Sequence, residues 1–192
     1  MPYVGCDMSV FFERNKSVVA AFALFFAFCV PAAADEAPKE LFDALIAAEA
    51  DGAETVAQEI RAHWSQSGSD TMDLLLDRGQ RALDEGDTHA AIEHLTALTD
   101  HAPDFAEGWH VRAQAYFAAE LIGPALGDLE QALALEPNHF DAMVGLGIIL
   151  EQIGKVEGAL EVFTMVRSIH PHHPELGPAI ERLESQTQGQ DI

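Results

Sequence analysis

Three imidazoles stand within four residues at His170-Pro171-His172-His173, followed by Pro174. Side chains of this type bind zinc or copper, but the two prolines restrict how the rings converge and no cysteine is near to complete a set. A second group is dispersed: Asp73, Glu107 and Asp141 recur at one constant interval. Three carboxylates in one register could steer a basic segment, or they could complement the dipoles of helices that begin beside them. His89 and His94 do not share a helix face and make a poor metal pair. The chain has no Gly-x-Ser-x-Gly elbow, His-Glu-x-x-His pair, phosphate-binding glycine loop or calcium loop. We therefore expect no enzyme, no cofactor and no metal, with metal binding at His170, His172 and His173 as an alternative reading.

The formal charge of -22 over 192 residues, with only ten Lys and Arg, excludes a basic footprint for nucleic acid. The acid excess serves solubility, or it attracts basic partners or divalent cations. Residues 1–34 read as an export signal: Arg14 and Lys16 precede the apolar run Val18 to Val30, and Ala32-Ala33-Ala34 supplies the small residues of a cleavage site. The run is too short to cross a hydrocarbon core of about 30 Å, so no membrane attachment is expected after cleavage. Phe28 before Cys29 speaks against lipidation, and Met8 is an alternative start. Cys6 and Cys29 both precede the expected cut, so the mature chain would carry no thiol, which suits a periplasmic or secreted protein without disulfides.

The elements that position the acids share their interval. Pro103, Pro137 and Pro171 recur at the same spacing and close three blocks of equal length, 72–105, 106–139 and 140–173. The first block carries Leu75, Gly79, Ala82, Ala91, Leu95 and Leu98. In the second, Trp109, Ala113, Tyr116, Ala125, Leu129 and Ala132 stand at the corresponding positions, and in the third Met143, Leu146, Gly147, Leu150, Ala159, Phe163 and Val166. Each block predicts two helices that cross closely where the residues are small, at Gly79 with Ala91, Ala113 with Ala125 and Gly147 with Ala159. Gly86 and Gly154 end the first helices of their blocks, Glu120 replaces glycine in the middle one, and the prolines stop the second helices. Arg78 and Arg112 share one repeat position, where long stems pack and charged heads reach water or acids.

The block 106–139 resembles the tetratricopeptide repeat (TPR) family, whose pattern is Trp, Leu, Gly, Tyr, then Ala, Phe, Ala and a closing Pro. The resemblance implies an all-α, right-handed α-solenoid of antiparallel helix pairs with a C-terminal capping helix. Around the three repeats we expect a degenerate N-terminal pair at 35–71, a cap at 174–184 and a disordered tail at 185–192. In the N-terminal pair the helices are predicted at Lys39 to Glu49 and Glu54 to Trp64, broken at Asp51-Gly52. Gly52 lies one repeat interval before Gly86, in phase with the array, although Arg61 stands where a large apolar residue belongs. Ser65 to Ser69 reads as a flexible joint.

In the family, partners bind the concave face of the first helices. Carried over by position, that face comprises Leu76, Gln80, Leu83, His110, Gln114, Phe117, Asp141, Val144, Ile148 and Glu151. The basic clamp by which some relatives grip a terminal carboxylate is absent. The resemblance implies a scaffold that docks a protein or peptide partner; with the export signal and the acid excess, the expectation is an exported scaffold with a basic partner, in envelope assembly or secretion. Self-association through a repeat edge is the alternative.

Overall fold

The computed structural model describes residues 38–190; the expected export signal and both cysteines lie outside the described residues, as do the last two residues of the tail. Described are α1 (Lys39–Ala47), α2 (Ala50–Trp64), α3 (Asp70–Asp84), α4 (Thr88–His101), α5 (Ala106–Ala118), α6 (Ile122–Leu135), α7 (Phe140–Gln152), α8 (Val156–Ile169) and α9 (Leu176–Gln190). The fold is an all-α solenoid. The pairs α3/α4, α5/α6 and α7/α8 are its three repeats, and α9 packs on α8 as a cap.

Each repeat turns on a close crossing. A Cβ on Gly79 would lie 2.5 Å from Leu95 Cγ, and one on Gly147 would collide with the Phe163 ring. Leu95 and Phe163 can therefore fill the crossing only because the opposite helix offers bare backbone. Between the helices of a pair the backbone adopts positive φ, 77° at Gly86 and Gly154 and 60° at Glu120. Asp87 caps α4 by accepting from Ala90 N, which satisfies one of the orphan amides at a helix start. Each second helix ends two residues before its closing proline, at His101, Leu135 and Ile169. Between the first two repeats, Trp109 Nε1 donates to Pro103 O at 2.9 Å. Arg112 donates to both oxygens of Asp128 at 2.7 and 2.9 Å and lies over the rings of Trp109 and Tyr116. Its role is the structural one: an apolar-lined fork.

The N-terminal pair departs from expectation in bounds and in place. α1 ends at Ala47, and Asp51-Gly52 lies within the first turn of α2 instead of breaking a helix. The true break is Ala48-Glu49, where extended Glu49 caps the next helix with a carbonyl that accepts from Gly52 N and Ala53 N. Glycine costs most in a helix interior, and at the third residue of α2 its entropic penalty is met by the hydrogen bond of its own amide to Glu49. The pair also leaves the in-phase position before the first repeat. Its buried residues Phe42, Leu45, Ala53, Ala57, Ile60 and Trp64 join Phe140, Phe163, Val166, Leu176, Ile180 and Leu183 in one core, so it packs on the third repeat and the cap. The joint at Ser65–Ser69 is tied down, with Ser67 donating to Asp73 through its N–H at 2.8 Å and its hydroxyl at 2.6 Å. At the other end the cap runs past Glu184 to Gln190, so residues 185–190 are helical where a disordered tail was expected. Ser185 and Thr187 hydroxyls bond back to the carbonyls of Glu181 and Glu184, and no strong breaker intervenes before Gly189.

Replacing Gly147 by Ala should lower stability by roughly 1–3 kcal/mol through overpacking against Phe163, although the same change in an unobstructed helix gains about 1 kcal/mol. Urea midpoints of the single variant and of Gly147→Ala/Phe163→Leu test this; the double variant should recover part of the loss.

Candidate functional site

The first turn of α5 presents Glu107, and one turn later His110 lies against it, with Nδ1 3.3 Å from Oε2. The same oxygen is met by His139 Nε2 at 2.8 Å, from the junction with the next repeat. His139 is the N-cap of α7, where its Nδ1 accepts from Ala142 N. That acceptance places the ring proton on Nε2, so His139 donates to Glu107. The three residues are the one set among the described residues whose ligand atoms cluster as a metal would require, all within 4.8 Å. The tautomer fixed by the cap argues against metal, because a donating Nε2 has no lone pair to offer.

Burial pushes the Glu107 carboxyl up, but the charge of His110 and the hydrogen bonds of both imidazoles outweigh it and hold it at about 2. Burial likewise opposes charge on His110, yet Glu107 raises it above the ordinary histidine value. Burial lowers His139, and the charge on His110 adds to that. The shifts run toward an ionised Glu107 beside a charged His110, a pair within α5, and toward a neutral His139 that bridges to it from the N-cap of α7. Trp64 of α2 stacks on His139 with ring centroids 4.0 Å apart.

Above this network lies a cleft of about 910 Å³. Its floor is the concave face of the first helices, with Gln80, His110, Gln114, Phe117, Asp141, Val144 and Ile148 among the lining residues. These are seven of the ten expected groove residues. The structure separates the other three. Leu76 is 2% exposed in the first repeat's core, Leu83 packs beside that core, and Glu151 accepts from Arg182 of the cap at 2.8 and 3.0 Å. His110 is buried, so its contribution to the cleft is charge. Gln114 extends it, with its amide 3.1 Å from His110 Nε2.

The facing wall is not foreshadowed by the repeat register. It is α2, through Ala50, Glu54 and Arg61, together with His172 to Glu175 before the cap. Arg61 donates to both oxygens of Asp141 at 2.7 and 3.0 Å and to Glu54 at 3.1 Å, and its guanidinium lies 5.1 Å from the Phe140 ring centroid. Its signal in the sequence is an arginine at a position the register reserves for an apolar residue. All three acids of the ladder are engaged within the chain: Asp73 by Ser67, Glu107 by the imidazoles and Asp141 by Arg61.

The histidine cluster does not converge. His170 is 1% exposed and packs edge-on against Phe140 and His173, His173 Nδ1 accepts from Glu175 N, and His172 is exposed on the cleft. The sharp turn between Pro171 and Pro174 sends neighbouring rings to different surroundings. Burial, with the charges of His173 and Arg61 nearby, holds His170 down to about 4.

A family profile described as tetratricopeptide repeat matches residues 76–123 and 112–174. A TPR repeat-containing protein of Rhizobium etli is 32% identical over 143 residues, covering 72% of this chain and 70% of that protein. Among solved structures, the first TPR of Spaghetti (RPAP3) bound to HSP90 peptide SRMEEVD is similar with a TM-score of 0.60 at 22% identity, over 62% of this chain and 95% of that one. MamA is similar with a TM-score of 0.58 at 23% identity, over 79% and 81% of the two chains. At these identities the likeness to the solved structures is one of fold.

His170 binds its proton at about pH 4 when folded and near 6.5 when unfolded. The unfolded chain thus holds more protons between those values, and stability falls as pH drops from 6.5 toward 4. Urea midpoints across that range should fall for the native chain and less steeply for His170→Leu; equal slopes would remove His170 from the acid response.

Proposed function

The chain belongs to the tetratricopeptide repeat family, and on that premise we propose that it is a non-catalytic scaffold that binds an extended, basic peptide segment of a partner protein in the cleft. The cleft carries the proposal. Its volume of about 910 Å³ suits a ligand, since binding pockets span roughly 300–1,000 Å³. Phe117, Val144 and Ile148 give it an apolar floor, and Ile148 is exposed there.

Charge supports the basic partner. Glu54, Glu107, Asp141 and Glu175 line the cleft, against Arg61 as the one arginine or lysine among its lining residues. With Glu107 balanced by His110 and Asp141 by Arg61, the remaining carboxylates leave a negative field in a partly enclosed space, which attracts a cation more strongly than an open surface does. The peptide SRMEEVD in the similar RPAP3 structure is acidic. This cleft would repel such a sequence, so the shared fold serves an opposite charge preference.

We place the protein outside the cytoplasm, in the periplasm or secreted, in the service of envelope assembly or secretion. The support is the pattern at residues 1–34: two basic residues, an unbroken apolar run and an Ala-Ala-Ala site.

Selection from a displayed peptide library should recover sequences that pair Arg or Lys with apolar residues. Binding of the recovered peptides, read by calorimetry, should weaken about tenfold or more in Phe117→Ala and Ile148→Asp, as expected for a lost anchor worth more than about 1 kcal/mol. Peptides of no charge preference, or affinities unchanged in both variants, would overturn the reading.

A further inference from the structure

The α1–α2 pair covers part of the face on which the repeats display their first helices, and how it is held distinguishes it from the repeats themselves. We infer that α1–α2 is a releasable strap, seated on the groove by Arg61 and Trp64, and that a partner's cationic segment displaces it by taking Asp141 from Arg61. This rests on the cleft being the binding surface, the reading given above.

The seat is built around one acid and one ring. Arg61 grips Asp141 with two hydrogen bonds, and Trp64, three residues on, stacks on His139 and tilts against Phe140 at 4.8 Å. Around them α2 buries Ala53, Ala57 and Ile60 and α1 buries Phe42 and Leu45, an apolar contact that the ion pair orients and that release must expose. A bidentate arginine on a part-exposed carboxylate is a contact that another guanidinium can reproduce.

The seam also carries a cost absent elsewhere. The buried side-chain polar atoms without a hydrogen-bond partner among the described residues are Trp64 Nε1 and both ring nitrogens of His170. Both rings pack against Phe140, at 4.8 and 5.4 Å. Buried polar atoms left unpaired oppose the docked state, and water satisfies them once the strap leaves. The repeats meet differently: Arg112 donates to Thr99 of the first repeat, and Glu107 is bonded to His139 at the start of the third pair.

The connection permits movement. Ser65–Ser69 joins α2 to α3; the Ser67–Asp73 bonds anchor its far side to α3, while Gln66, ahead of that anchor, is exposed. A strap leaving Asp141 would thus pivot before Ser67 and leave the first repeat intact. Glu54 leaves with Arg61, so the vacated Asp141 takes its place beside Glu175 and the cleft keeps two uncompensated carboxylates for the incoming cation.

Hydrogen exchange by mass spectrometry on the full chain reads this without a partner. Amides of residues 39–64 should exchange through an opening that leaves 106–135 protected, and Arg61→Gln should speed the former about tenfold or more while leaving the latter unchanged. Equal protection of the two segments, or a variant that loosens both alike, would make the pair part of the folding unit and overturn the strap. The displacing cation is tested with a synthetic peptide of residues 50–66, read at 39–49, which the peptide does not contain. Exchange there should rise with added peptide and stay flat with the same peptide carrying Arg61→Gln; no rise with the native peptide, or equal rises with both, would overturn displacement through Asp141. Library selection and exchange are independent, so failure of the groove reading and failure of the strap are told apart.

Discussion

Everything in this molecule follows from how closely two helices can cross. Where Gly79 faces Leu95 and Gly147 faces Phe163, backbone lies directly against side chain, with no space for even a methyl group. That approach sets the angle within each pair, and the closing prolines set where the next pair begins. A pair so formed buries little by itself, so the stack is the smallest unit that folds. The stack in turn leaves one side of its first helices without a neighbour. The cleft is that uncovered side.

What lies on the uncovered side is largely charge held in balance. Glu107 and His110 neutralise each other beneath the cleft, and His139 completes the link from the second repeat to the third. An isolated buried carboxylate would be strongly disfavoured. Paired as it is, it lends the inter-repeat joint directional bonds that apolar packing lacks. The same logic applies to Arg112 and Asp128 within the second repeat, while Arg61 and Asp141 carry it to a segment outside the array. These contacts share a rule: in a chain of net charge -22 cations are scarce, so each buried one holds elements together.

The repeats are readable from sequence because their constraint is local and stated three times. Small residues at the crossing and proline at the close recur in all three repeats, and glycine at positive φ in two; each has a single physical reason, and a register that repeats them leaves little freedom. The N-terminal pair shows where this runs out. Its phase matches the array, but phase says nothing about which surface it meets, and Arg61 and Trp64 find their partners far along the chain, at Asp141 and His139. Helix ends escape the pattern for a related reason: Gly52 and Ser185 look like breaks, yet a first turn tolerates the one and back-bonding to a carbonyl accommodates the other. His110 is readable as a groove residue by position. Its burial depends on Glu107 and on His139 from the following repeat.

The anomaly at Arg61 is more informative than the conformity around it. In a repeat continuing the array an arginine there would have to reach water past its own neighbours. Laid instead across the third repeat, it meets an acid whose position two in the repeat is shared with Asp73 and Glu107. The ladder of acids thus has three different occupants: a turn, a pair of imidazoles and a strap. The first is a local turn beside its own helix, and the second joins stacked elements and cannot be exchanged without opening the stack. Only Asp141 is held by a segment that the array does not need for its own continuity, and this makes it the rung at which a foreign cation can compete.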